Sequence, residues 1–183
     1  RQDMLAQIKR ILKRTGFPAN QLIVELTESL LIDALDKTAA TLTSLRDMGI
    51  EVAIDDFGTG YSTFKLLKRV PVDILKIDQM FIADLSDNPA DKAIAKAIID
   101  VAHALHMRVV AEGVESKAHL TTLQELGCDS IQGFYLSEAL PRTGISKLLR
   151  EGIPGITKQR TNADIEETKR KIAEQEKQRL VSA

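Results

Sequence analysis

The amino-acid sequence predicts an α/β fold of the TIM type, an array of parallel βα units with about five units present. Three observations lead there. Five short apolar runs, LIVELTE, VAIDDFGTG, ILKID, VVAEGVE and SIQGFY, read as strands. Helical patterns lie between them, and alternation of strand and helix gives a parallel sheet. Each run ends on or near a carboxylate, lysine or glutamine, and in parallel arrays the chemistry collects where loops after successive strands converge. A closed eight-stranded barrel takes about 250 residues, so five units in a chain of 183 read as the latter part of a barrel.

In chain order, apolar residues at positions 4, 5, 8, 11 and 12 predict a helix over 3–15, stopped by Gly16 with Pro18 beyond it. A strand follows over 22–28, then a helix over 33–48 closed by Gly49. The second strand, 51–57, runs into the turn GTG and a short helix over 62–68. Pro71 breaks the chain before strand 74–78, and Asn88-Pro89 opens a helix reaching residue 106. Strand 108–114, helix 116–126 ending at Gly127, strand 130–135 and a short helix over 142–151 complete the series. Beyond Gly155 the composition changes. Residues 161–180 are mostly charged or amide-bearing, with Glu166/Arg170 and Glu167/Lys171 spaced i,i+4. Ile165, Ile172 and Leu180 are too sparse for sustained heptads, which favours a solvated helical extension or linker over 156–183 rather than a coiled coil.

The 44% hydrophobic content suits a soluble globular domain, and a net charge of −1 steers neither towards nucleic acid nor towards an anionic membrane. A single cysteine, Cys128, excludes an intrachain disulfide and fits a reducing, cytoplasmic setting. No apolar run approaches the roughly 20 residues that span a bilayer. The chain opens at Arg1 rather than Met, so the lack of a targeting segment carries no information about a parent protein, which could be membrane-anchored upstream.

The strand ends place Glu25, Asp55, Asp56, Lys76, Glu112 and Gln132 together. Four acids in one place repel one another unless a cation neutralises them, and an all-oxygen donor set selects a hard divalent ion, Mg²⁺ or Mn²⁺. Adjacent carboxylates on a strand point to opposite sides unless the backbone turns; Gly58 and Gly60 are the expected source of that freedom for Asp55 and Asp56. The same segment mimics a kinase DFG motif, but neither the HRD loop nor the VAIK strand is present. It also approaches a dinucleotide fingerprint, but Thr63 stands where the third glycine belongs. A plain turn or capping role for the acid pair remains the bland alternative.

Lys76 sits inside an apolar strand, where a lysine is costly to bury without a partner. A snorkelling surface lysine is the competing reading. With acids ending on the same face, an ion pair that keeps it protonated, to donate hydrogen bonds to a water or phosphate, is the stronger one. Gly113 after Glu112 permits a sharp exit from the strand. Glu115 reads alternatively as a cap for the helix beginning near Ser116. His103, His106 and His119 form no zinc pattern and read as surface or helix-end histidines.

The ordered series ELTES, AIDDFGTGYS, LKID, VVAEGVE and QGFYLSEALP resembles the EAL-domain family of cyclic di-GMP phosphodiesterases. The resemblance implies a modified TIM barrel that hydrolyses one phosphodiester of cyclic di-GMP to linear pGpG, with two ions of Mg²⁺ or Mn²⁺. It makes Glu25 a metal ligand, Asp55 the acid shared by both metals and Asp56 its neighbour at the second metal. It assigns Lys76 to the nucleophilic water, and Glu112 and Gln132 to the metal-water site. Glu28 becomes the residue that steadies the DDFGTG loop, and Glu115 a supporting acid. The namesake Glu-Ala-Leu motif, a substrate-binding arginine and an asparagine ligand have no match before Leu22. The expectation is therefore a partial EAL domain over 1–155 with impaired activity in isolation, followed by the charged extension. Implied partners are cyclic di-GMP, a second copy in a homodimer, and an upstream GGDEF or sensor domain, with no nucleic acid and no membrane contact. A non-catalytic module that binds cyclic di-GMP or another protein is the reading from a different class; retention of the acid cluster favours the enzyme.

Overall fold

Five strands, β1 (Ile23–Thr27), β2 (Glu51–Phe57), β3 (Ile74–Ile77), β4 (Arg108–Ala111) and β5 (Ser130–Ile131), pair in the order β1-β2-β3-β4-β5. Every neighbouring pair is parallel, as the strand–helix alternation requires. The computed structural model describes residues 2–28, 35–58 and 67–153. The chain divides into two compact units, Arg1–Glu138, which contains the sheet, and Ala139–Ala183.

Among the described residues of the first unit, the helices are α1 (Gln2–Thr15), α2 (Leu35–Asp47), α3 (Pro89–Ala104) and α4 (Lys117–Leu126). The local chemistry explains their ends. The Asn88 side chain accepts from the Ala90 amide at 2.9 Å with Pro89 in the first turn, and the Ser116 hydroxyl accepts from the His119 amide at 3.1 Å. Gly127 closes α4 at φ 83°, a conformation that costs glycine nothing. α3 turns Ala95, Ile98, Ile99 and Ala102 inward, a single helical stripe. In the second unit, α5 (Arg142–Glu151) occupies the expected position.

The two faces of the sheet differ. Val52, Ile54, Leu75, Ile77, Val109 and Ala111 join the main core with residues of α2, α3 and α4. Ala53 and Ile74 are buried but belong to the opposite face, as the period of two demands. That opposite face carries Lys76.

Three expectations are corrected. β5 has two residues rather than the six of 130–135. The chain leaves the strand because Gly133 packs against the Val114 backbone, where any Cβ would collide, and Tyr135 instead donates its amide to Val114 O at 2.9 Å. β4 and β3 also end earlier than expected, at Ala111 and Ile77. Short 3₁₀ turns at Ala19–Gln21 and Gln79–Phe81 were not anticipated. Residues 59 and 60 of the GTG turn, most of the short helix over 62–68 and the extension over 156–183 lie outside the described residues. Among the described residues, no helix is long and apolar enough to cross a membrane.

Candidate metal centre

Lys76 is the hub of the site. Its Nζ lies 2.9 Å from Glu25 Oε2, 2.8 Å from Asp55 Oδ1 and 2.7 Å from Glu112 Oε1, with 7% of its side chain exposed. The three acids come from β1, from β2 and from the residue following β4, so one ammonium links four consecutive strand ends. Burial opposes the charge on Lys76, but close contacts with Asp55, Glu112 and Glu25 outweigh it and raise the pKa above the ordinary 10.5. The snorkelling reading is thereby excluded: this lysine is a buried, charged member of an ion cluster.

A bulge aims the acid pair. Ile54 pairs with Leu75 and Phe57 with Ile77, so β2 carries Asp55 and Asp56 where β3 carries Lys76 alone. Asp56 takes φ 55°, a left-handed conformation that aspartate tolerates better than most residues. A left-handed turn thus already lies at Asp56 itself, ahead of Gly58 at φ 102°, while Gly60 lies outside the described residues. Ligand oxygens of Asp55, Asp56 and Glu112 all lie within 4.8 Å of one another.

This donor set fits a hard divalent cation. It is made of carboxylate oxygens: Glu25, Asp55 and Glu112 gather on one ammonium, and Asp56 adds an oxygen within 4.8 Å of those of Asp55 and Glu112. Asp55 Oδ1 is buried and touches Lys76 Nζ, yet has no aligned hydrogen-bond donor among the described residues. That oxygen retains lone-pair capacity for a cation.

Glu28 stands just outside the cluster, 2% exposed, and accepts the Gly58 amide hydrogen bond at 2.8 Å. A Cβ on Gly58 would run into the Phe81 ring, so Gly58, two residues beyond Asp56, is fixed from two sides. Two candidates are not drawn into the cluster. Gln132 is exposed; its backbone carries the local pairing, the amide donating to Ala111 O at 2.8 Å and the carbonyl accepting from Val114 at 3.1 Å. Glu115 is also exposed, and Ser116, not Glu115, caps α4. Beside the cluster, a depression of about 360 Å³ lies between the loops after β3 and β4, against Asp78, Gln79, Met80, Gly113, Glu115 and His119. Asp78 to Met80 were missed; the usable signal was their position directly after LKI. The Asp78 carboxylate caps this turn, accepting from the Met80 amide at 2.8 Å.

The model of the EAL domain family matches residues 1–139. The chain belongs to the EAL domain family. It is 41% identical over 150 residues to the cyclic di-GMP phosphodiesterase NbdA of Pseudomonas aeruginosa, covering 82% of this chain and 19% of that protein. Among solved structures, the PaMucR phosphodiesterase in complex with c-di-GMP superposes with a TM-score of 0.72 at 40% identity, covering 75% of this chain and 56% of that one. A manganese and c-di-GMP complex of Klebsiella pneumoniae BlrP1 gives 0.70 at 34% identity, over 74% of this chain and 35% of that one. The chain thus takes the α/β barrel-type fold of EAL domains while spanning about a fifth of the curated relatives' length.

Proposed function

We propose that the domain to which this chain belongs hydrolyses one phosphodiester of cyclic di-GMP to linear pGpG with two ions of Mg²⁺ or Mn²⁺. The observation that carries this is the Lys76 hub with its carboxylates on successive strand ends, in a chain of the EAL family. Glu25, Asp55 and Asp56 are the metal ligands, with Glu112 beside them. Two bound ions supply charge neutralisation for the attacking and leaving oxygens of an in-line displacement. Water oxygen bonds to phosphorus, the bond from phosphorus to the 3′ oxygen breaks, and a proton ends on that 3′ oxygen. Lys76, held charged, donates a hydrogen bond to the attacking water or a phosphate oxygen. Glu28 fixes the acid pair through Gly58, while Gln132 and Glu115 act from the rim.

Chromatographic analysis of cyclic di-GMP incubated with folded protein tests the reading. Linear pGpG is expected with Mg²⁺ or Mn²⁺, and none with chelator or after Asp55→Asn. Folded protein carrying the whole domain that yields no metal-dependent pGpG overturns it; tight binding without turnover would favour the non-catalytic module.

A further inference from the structure

The oxygens that Lys76 holds are ones a metal centre here would need. Glu25 Oε2, Asp55 Oδ1 and Glu112 Oε1 all lie within 2.9 Å of its Nζ. An ammonium has three N–H donors and no more. With three carboxylates within 2.9 Å, Lys76 Nζ is crowded by acids, and a water or a phosphate must compete with them for it. Loosening one of these contacts would open Lys76 to a direct part in the reaction.

We infer that Lys76 is the internal counter-ion of the acidic cluster, exchanging with divalent cations for the same carboxylates and keeping the strand ends assembled when metal is scarce. This rests on the metal-centre reading above and adds a positioning role for Lys76. The fold supports it: Lys76 is on β3, between β2 and β4 in the sheet, and the acids it gathers belong to strand ends on both sides. Without the ammonium, the half-buried carboxylates of Asp55 and Glu112, 26% and 18% exposed, would repel one another across neighbouring strand ends. With it, a divalent ion must enter against a resident positive charge, which weakens its binding. Exchange resolves the conflict. As ions take the carboxylates, the lysine loses partners and gains the free donors that the reaction needs.

Thermal melting and calorimetric metal titration of the 183-residue chain test this, with Lys76→Met and Lys76→Arg alongside wild type. In chelator, Lys76→Met is expected to melt well below wild type and Lys76→Arg closer to it. Saturating Mg²⁺ or Mn²⁺ is expected to recover most of the Lys76→Met deficit, and its metal affinity to be about tenfold tighter than wild type. A Lys76→Met protein unfolded in chelator but folded with metal also supports exchange; one unfolded in both overturns it. An equal deficit with and without metal, or weaker metal binding by Lys76→Met, overturns it too. If wild type itself binds no metal, the metal-centre reading falls and exchange falls with it. Normal metal binding with equal deficits sinks exchange alone.

Discussion

The Glu28 carboxylate accepts a hydrogen bond from the Gly58 amide at 2.8 Å, tying the end of β1 to the residue that follows the β2 bulge. Thirty residues separate the partners in sequence, and the acid is almost fully buried. The bond connects stability to the site, because Gly58 follows directly on the segment that positions Asp55 and Asp56.

Replacing Glu28 separates charge from shape. Hydrogen bonds to charged groups contribute about 1.5–3 kcal/mol, and an unpaired buried amide adds a penalty of its own. Glu28→Ala is expected to lose about 2–3 kcal/mol in urea unfolding, and Glu28→Gln, which keeps an acceptor oxygen, less than half of that. If the Gly58 contact positions the acid pair, Glu28→Ala also weakens metal binding in titration calorimetry. Wild-type stability in Glu28→Ala would show that the contact contributes nothing.

Asp56 allows backbone geometry and charge to be told apart. Its φ of 55° strains any side chain, by about 1–2 kcal/mol per residue, but not glycine. Asp56→Gly is therefore expected to be more stable than Asp56→Ala by about 1 kcal/mol, while both lose metal affinity to the same extent. A Gly variant no more stable than Ala would mean that the left-handed turn is not strained there.

Much of this was readable from the residues. A lysine and several acids interrupting apolar runs stand out because burying them alone is costly, and the runs themselves alternate with helical patterns. The bulge was not readable: it is a mismatch between β2 and β3, visible only when Asp55 and Asp56 face Lys76 in register. Composition points to the glycines for the turn, and it does not reveal that Asp56 is itself left-handed. Gln132 illustrates a second limit. The apolar run 130–135 looks like a strand, but Gly133 must approach the Val114 backbone, and that packing ends β5 at Ile131. The acids at the opposite end of the sheet, Asp73 and Asp129, were overlooked because a single acid before a strand resembles any turn residue.

Cys128 gives a pH prediction. Burial pushes its thiol above the ordinary 9.0, with Asp129 adding to the effect, and Sγ lies 3.2 Å from the Ser130 carbonyl oxygen. The folded state thus holds the thiol proton more tightly than the unfolded state. Its contribution to stability is complete below pH 9.0 and is lost as pH rises through the higher folded value. Cys128→Ala is expected to flatten that part of the alkaline decline. Iodoacetamide at pH 8, followed by mass spectrometry, should label native protein many times more slowly than urea-unfolded protein. Equal labelling rates would contradict the burial account.

The start of the sheet uses one device twice. Asp73, just before β3, accepts the Val52 amide at 3.0 Å and pairs with Arg46 of α2 at 3.0 Å. Asp129, just before β5, accepts the Val109 amide at 2.8 Å and meets His103 of α3 at 2.8 Å. Val52 and Val109 are each the second residue of their strands, and both are fully buried. In each case the acid satisfies a strand amide that lies beyond the reach of the neighbouring strand, while the basic partner stands about one-third exposed or more. The two halves of the device therefore differ in worth. Asp73→Ala and Asp129→Ala each strand a backbone donor and are expected to cost about 1–3 kcal/mol. Arg46→Ala removes only a solvated ion pair and His103→Ala only a solvated side-chain contact, and each is expected to cost less than about 1 kcal/mol. Urea unfolding of the four single variants measures the asymmetry. Costs for the basic residues as large as those for the acids would mean that the side-chain contacts, and not the amide bonds, hold the strand starts.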